Sequence, residues 1–437
     1  MRRGLLGLVG MLVALPGCAS AQQVRLDVRL AKPVLMAAKK NTTYLKVGLT
    51  GFDRAKNGDR TKVNVAIVLD KSGSMSGEKM RKAKEATLMA IDRLGPEDIV
   101  SVVAYDSTVR VLVPATKVSD RSLISAGVRR IVPGGNTALF AGVSKGADEL
   151  RKFLDRNRVN RVILLSDGLA NVGPSSPSDL ELLGMSLIRD GVSVTTIGLG
   201  LDYNEDLMSR LSRASDGNHV FVERPDDLAR FFALEFGDVT AVVAQDVTVR
   251  IKCAPGVRPV RVLGRDADIA GQEVTARLNQ LISRREKFLM LEVEVPAGEP
   301  GDARDVVEVE VSYGNMVTKA TDSLSATVRA SYTGSKAEVE RRTDREVVVN
   351  AVELVANQRN RMAVVARDQG RTREARELLL ENARWLDFNA TTLKSKRLET
   401  LKTSNEDDAD NLAPNHWKGQ RKKMRRKQFQ LDAQQSY

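Results

Sequence analysis

Two hydrophobic rhythms divide the chain. From residue 62 to residue 236, short apolar runs alternate with amphipathic stretches. The run Val63 to Leu69 is apolar at every position but Asn64, as a strand covered on both faces must be, and it ends on Asp70. Residues 77–94 then place Met80, Ala83, Ala86, Thr87, Ala90 and Ile91 on one helical face, with Lys79, Lys82, Glu85 and Arg93 on the others. The same reading predicts strands over 99–105, 109–113, 161–166, 192–199 and 219–222. Helices are predicted near 121–130, 138–153, 180–189, 205–214 and 226–236. Strands that alternate with helices in this way predict an α/β fold, a doubly wound and mostly parallel sheet spanning residues 61–237. Ligands of such sheets sit beyond the carboxyl ends of the strands, where Asp70 and Asp167 both fall.

After Gly237 the period changes to two. Leu291, Val293 and Val295 alternate with Glu292 and Glu294, and Val307, Val309 and Val311 with Glu308 and Glu310, the mark of strands with one wet face. Residues 238–334 are therefore expected to form a β-sandwich. Residues 22–60 carry strand-like alternation of their own, with Leu45, Val47 and Leu49, and are expected to join that sandwich. Residues 335–402 turn helical and charged. The spacing of Ala366, Gly370, Ala375, Leu378 and Leu379 resembles one tetratricopeptide-like hairpin, but one unit is not an array, and an ordinary helical hairpin is expected. Residues 403–437 are read as a charged, basic tail, in which Lys418 to Lys427 packs seven Lys or Arg into ten positions. Such a run is usually solvated, and it offers a contact with a polyanion.

The first residues bear on location. Arg2 and Arg3 precede an apolar run from Leu5 to Leu15, then Pro16 and Gly17, then Ala19-Ser20-Ala21, the layout of a secretory signal peptide over residues 1–21. Two processing routes stay open. One is cleavage before Gln22, and the other is a lipoprotein-like box at Leu15 to Cys18 that would leave Cys18 lipidated. Either exports the mature chain to the periplasm or cell envelope. The apolar run from Leu5 to Leu15 is shorter than the ~20 residues of a membrane span, so no transmembrane helix is expected. The other cysteine, Cys253, lies among apolar neighbours and reads as a packed thiol. The net charge is +12, concentrated at the C-terminus; export makes nucleic acid the least natural partner.

The string that carries chemistry is Asp70-Lys71-Ser72-Gly73-Ser74, at the end of the first apolar strand. Gly134-Gly135-Asn136-Thr137 and Leu164-Leu165-Ser166-Asp167-Gly168 follow at later loops. In these three strings the sequence resembles the von Willebrand factor A family, whose metal-ion-dependent adhesion site takes Asp-x-Ser-x-Ser from the first loop, a threonine from the second and an aspartate from the third. The wider layout looks like exported bacterial members of the calcium-activated chloride channel homologue type, although a chain with no membrane-spanning helix forms no helical pore alone. The resemblance implies a divalent cation held by Asp70, Ser72, Ser74, Thr137 and Asp167, with a carboxylate from a protein partner filling the open position. Hydroxyl and carboxylate oxygens suit Mg2+, with Mn2+ and Ca2+ as alternatives, and not zinc. Asp-x-Ser-Gly-Ser could also be no more than a helix cap, a reading that five positions on three loops disfavour.

Neighbouring residues receive plainer readings. Asp106 is expected as a surface-turn aspartate, with support of the cation site as the alternative, and Lys71 as a solvated lysine. Asn171, Asp202, Tyr203 and Asn204 are expected along the rim that a partner would touch. The function expected is a non-enzymatic, cation-dependent binding or adhesion module. The alternative is an envelope scaffold working through its helical segment and basic tail. A metal-dependent hydrolase is the weakest reading, because the chain has no His-Glu-x-x-His, no Gly-x-x-x-x-Gly-Lys, and only His219 and His416 as imidazoles.

Overall fold

A computed structural model describes residues 22–54 and 60–435. The signal peptide read at 1–21, Cys18 included, lies outside the described residues. Three strands open the chain: β1 (Arg25–Leu30), β2 (Val34–Met36) and β3 (Asn41–Thr50). The α/β unit follows as β4 (Lys62–Asp70), α1 (Glu78–Asp92), β5 (Ile99–Tyr105), β6 (Val109–Lys117), α2 (Arg121–Arg129), α3 (Leu139–Arg151) and β7 (Arg158–Ser166). It continues as α4 (Pro177–Arg189), β8 (Val192–Leu199), α5 (Glu205–Ala214), β9 (His219–Val222) and α6 (Leu228–Thr240).

The sheet of this unit has the order β6-β5-β4-β7-β8-β9. It is parallel throughout except for the edge strand β6. Each strand of the middle shows why its sequence is continuously apolar. Val65, Ile67 and Leu69 of β4 pack into one core with α1 and α6, while Ala66 and Val68 face the opposite core with α3. The chain lays down β4, β5 and β6 in one direction and then returns to place β7 on the other side of β4. The crevice between β4 and β7 is thus the topological switch point, where such folds bind ligands.

The remaining strands are β10 (Val242–Cys253), β11 (Arg258–Leu263), β12 (Asp268–Ala270), β13 (Glu273–Ile282), β14 (Glu286–Val295), β15 (Ala303–Asn315) and β16 (Thr321–Thr333). They form two sheets, β1-β3-β14-β11 and β12-β13-β10-β15-β16-β2. One core fills the space between them, with Leu45, Val47 and Leu49 on β3 meeting Val249, Ile251, Val309 and Val311. The early strands thus divide between the two sheets, β1 and β3 in one and β2, parallel to β16, in the other. The α/β unit enters from β3 and leaves through α6 into β10.

Five helices follow among the described residues: α7 (Lys336–Arg342), α8 (Arg345–Asp368), α9 (Thr372–Leu393), α10 (Lys396–Asp410) and α11 (Pro414–Ala433). The segment expected as a basic tail is a correction, because it is helical and packs back on the α/β unit. Three of the seven cations on α11 find partners in the acidic start of α5. Arg421 pairs with Glu205 and with Asp206, Lys422 Nζ lies 2.5 Å from Glu205 Oε2 and 2.7 Å from the Tyr203 carbonyl oxygen, and Arg425 lies 2.8 Å from Asp206. Lys422 is 2% exposed and its ammonium stands 3.9 Å from the centre of the Tyr203 ring. Burial pushes the Glu205 carboxyl up, and the Lys422 and Arg421 charges more than offset this, holding it below its ordinary range.

Beneath the same contact, the buried ring of His219 meets Phe429 of α11 edge-on at 5.7 Å and shares a 2.8 Å hydrogen bond between Nδ1 and Thr196 Oγ1. Burial lowers its pKa from 6.5 to about 4. The unfolded chain therefore takes up a proton near pH 6.5, but the folded chain only near 4. The stability that neutral His219 confers is complete above pH 6.5 and is lost as the pH falls towards 4, by up to about 3 kcal/mol. Denaturant titrations of the wild type and His219→Asn across that window should show a shallower loss in the variant. Equal slopes would refute the assignment.

Candidate metal centre

The parallel register of β4 and β7 sets Leu69 opposite Leu165, so the residues that follow, Asp70 and Ser166, emerge side by side. Ser166 Oγ donates to Asp70 Oδ2 at 2.6 Å, and the Ser72 amide donates to Asp70 Oδ1 at 2.8 Å. Asp70 is fully buried, and burial raises its pKa against the pull of these hydrogen bonds, with Asp167 adding to the rise. Asp167, also fully buried, accepts from Ser74 Oγ at 2.7 Å through Oδ1. Ser72 Oγ and Ser74 Oγ are 3.0 Å apart.

The loop that carries Thr137 is laced to the first loop by backbone hydrogen bonds, from the Gly134 amide to the Lys71 carbonyl at 2.7 Å and from the Gly73 amide to the Gly135 carbonyl at 3.1 Å. Gly135 adopts φ +77°, and a side chain there would press on Asp106 at 3.2 Å, so the close approach needs glycine. Asn171 fixes the loop from the other side: its Oδ1 accepts from the Thr137 amide at 2.8 Å.

The three hydroxyls converge. A methyl group built on Gly168 would stand 3.2 Å from Ser74 Oγ, 3.2 Å from Thr137 Oγ1 and 3.7 Å from Ser72 Oγ. All five residues named from the sequence, Asp70, Ser72, Ser74, Thr137 and Asp167, are thus gathered in one place. The donor set fits a hard divalent cation, with neutral hydroxyls and two carboxylates in a setting that a bare carboxylate pair would find costly. Among the described residues, no group of three or more His, Cys, Asp or Glu side chains is placed to hold a metal ion. No helix among the described residues is long and apolar enough to cross a membrane.

One participant escaped the sequence reading. Lys79, on the first turns of α1, places Nζ 2.5 Å from Asp167 Oδ2. Two plain readings also need amending. Lys71 is not solvated: its side chain is 14% exposed and pairs with Asp106. Asp106 is a turn residue, accepting from the Thr108 amide at 2.8 Å, and it also braces the motif loop through Lys71. Of the expected rim residues, Asp202 is exposed and Tyr203 is buried beneath Lys422. Asn204 caps α5 by accepting from the Leu207 amide at 3.1 Å. Cys253 is buried, and burial pushes its thiol up to about 11.

Residues 64–232 match the model of the von Willebrand factor type A domain, and this part of the chain is such a domain. Among curated relatives, the chain is similar to an uncharacterised protein of Synechocystis sp., with 27% identity over 61% of this chain and 65% of that one. It is likewise similar to the uncharacterised protein YfbK of Escherichia coli, with 27% identity over 49% and 37%. The human inter-alpha-trypsin inhibitor heavy chain H2 is 32% identical over 38% of this chain and 18% of its own length. The chain thus spans less than two thirds of each of these relatives.

Two solved structures share the fold well beyond that domain. A von Willebrand factor type A protein from Catenulispora acidiphila superposes with a TM-score of 0.69 at 20% identity, over 90% of each chain. The ArnB paralog VWA2 from Sulfolobus acidocaldarius gives 0.65 at 17%, over 93% of this chain and 98% of that one.

Two expectations follow from the geometry. Gly168→Ala crowds the hydroxyls and should abolish any Mg2+-induced rise in thermal midpoint while leaving the metal-free midpoint close to that of the wild type; a preserved Mg2+ response would place the cation elsewhere. Lys79→Met strips Asp167 of its ammonium and should destabilise the metal-free protein by roughly 2 kcal/mol. Because the cation then substitutes for the lost charge, the Mg2+-induced shift should exceed that of the wild type, and equal shifts would refute the competition.

Proposed function

We propose that this chain is a non-enzymatic binding module of the cell envelope that grips an acidic group of a protein partner through a divalent cation, with Mg2+ the ion that its oxygens suit best. The convergence of Ser72, Ser74 and Thr137 hydroxyls around the position of Gly168, above two buried carboxylates, carries the reading. Asp70, Asp167 and the three hydroxyls would hold the ion and leave its coordination shell open to a further oxygen, such as that of a carboxylate. The cleft above is open to solvent, measures about 610 Å³ and is bordered by Asn136, Leu169 and Asp202, which leaves room for a protruding side chain. The match of residues 64–232 to the von Willebrand factor type A domain supports the reading.

Export, through cleavage before Gln22 or lipidation of Cys18, is part of the proposal and rests on residues 1–21. A scaffold acting through free basic charge has less to recommend it, since Arg421, Lys422 and Arg425 are engaged within the molecule. Hydrolysis has no imidazole to work with: His219 is buried beneath α11 and His416 stands exposed at its start.

Titration calorimetry of the chelator-treated protein with MgCl2 should show one site, lost in Thr137→Ala and in Asp167→Ala. At a cation concentration ten times the dissociation constant, the wild type should gain about 1.4 kcal/mol of stability. Envelope partners captured by cross-linking to the wild type in MgCl2 should be absent when chelator is present during capture, and absent from both variants. Partners retained under chelation would overturn the reading.

A further inference from the structure

The cleft over the candidate metal centre is not made by the von Willebrand type A domain alone. One wall is the first turns of α11, which contribute Trp417, Lys418, Arg421 and Lys422, facing Leu169, Leu201 and the hydroxyls of the centre. Trp417 is held as a fixed platform. Its Nε1 donates to Asp368 Oδ1 at 3.0 Å, and the Arg367 guanidinium lies 5.2 Å from the centre of its ring. On the facing rim, Leu169 is 59% and Leu201 38% exposed. A methyl group built on Gly419 of α11 would stand 4.0 Å from Leu201 Cδ2, so the helix and the rim meet with little to spare.

The charges of this wall are largely spent. Arg421 and Lys422 are taken up by Glu205, Asp206 and Asp368, and Lys418 Nζ lies 2.5 Å from Asp202 in an exposed pair. What the cleft presents to a ligand beside the cation is an aromatic ring on the α11 wall and two leucines on the facing rim. Rigid aromatics in such positions dominate binding energy, and exposed leucines around a polar centre mark a contact surface.

We infer that α11 sets the specificity of the site, and that its occupant is a peptide segment in which the metal-bound Asp or Glu is flanked by large apolar side chains resting on Trp417, Leu169 and Leu201. The inference rests on the cation-mediated reading above. It adds the identity of the flanking residues, and it makes a helix outside the type A domain part of the site.

The test uses the full chain and three fluorescein-labelled pentapeptides with blocked C-termini, Gly-Leu-Asp-Leu-Gly, Gly-Ser-Asp-Ser-Gly and Gly-Leu-Asn-Leu-Gly, followed by anisotropy in MgCl2 and in chelator. The leucine-flanked aspartate peptide should bind about tenfold more tightly than the serine-flanked one and not at all in chelator. Trp417→Ala and, separately, Leu201→Ser should erase most of that preference and leave the serine-flanked peptide unaffected. Thr137→Ala should abolish binding of both aspartate peptides.

Equal affinity for the two aspartate peptides, or equal weakening of both by Trp417→Ala and Leu201→Ser, would overturn the inference and leave the cation reading standing. Failure of both aspartate peptides to bind in MgCl2, or binding of the asparagine peptide as tightly as its aspartate counterpart, would instead bring down the cation reading and this inference with it. Magnesium-induced dimerisation that the leucine-flanked peptide does not reverse would make a second copy of this chain the occupant, and would also overturn the inference.

Discussion

Two carboxylates lie fully buried at the ends of adjacent parallel strands, and much of the rim is arranged to make that tolerable. Asp70 and Asp167 are brought together because β4 and β7 pair in register at the point where the sheet reverses direction. Taking two like charges out of water is expensive. Hydrogen bonds from Ser166, from the Ser72 amide and from Ser74 answer part of the cost, and the ammonium of Lys79 answers another part. A divalent cation placed among the same oxygens would complete the compensation more fully than one lysine can. The electrostatic demand that shapes the rim is thus the one that the proposed cation would meet.

The second dependency is the docking of α11. A helix with so many cations does not pack on a protein surface for its apolar content alone; it packs because α5 opens with Glu205 and Asp206 and because Tyr203 offers its ring to Lys422. Phe429 and the neutral ring of His219 seal the same contact from the apolar side. The sandwich is tied in by a separate device. Asp216, held down to about 2 because the Lys287 and Arg265 charges outweigh the upward push of burial, joins the end of α5 to β14 and to the chain following β11. The type A domain is thus clamped from two sides by parts of the chain that precede and follow it.

Where sequence reading succeeded and where it stopped has a common physical cause. The strands β4 and β7 were legible because a strand covered on both faces must be apolar at nearly every position, and the candidate residues at their ends were named through the Asp-x-Ser-x-Ser resemblance. Thr137 needed only its glycine-rich loop to be recognised. Lys79 was missed because its partner lies 88 residues away, and a lysine on a helix reads the same whether it faces water or a buried aspartate. The basic run at 418–427 failed in the same way, with its acidic partners more than 200 residues upstream. A local pattern reports the environment that a segment demands, but an ion pair across the chain leaves no local trace. The division of β1, β2 and β3 between two sheets was equally hidden, since alternation shows which face of a strand is wet and not which neighbour it takes.

This difference in legibility matches a division of labour. The oxygens that suit a cation are placed by the sheet itself, through register, a glycine-enforced loop contact and short hydrogen bonds, so little freedom remains in them. The wall across the cleft is placed by long-range ion pairs on a separate helix, and its working surface is Trp417, which the sheet does not require. Residues on that wall can change without disturbing the oxygens, whereas a methyl group at Gly168 disturbs them at once. Under the proposed function, generic affinity for a carboxylate would rest on the loops of the sheet and choice among carboxylates in part on α11, so the first could stay constant while the second is adjusted.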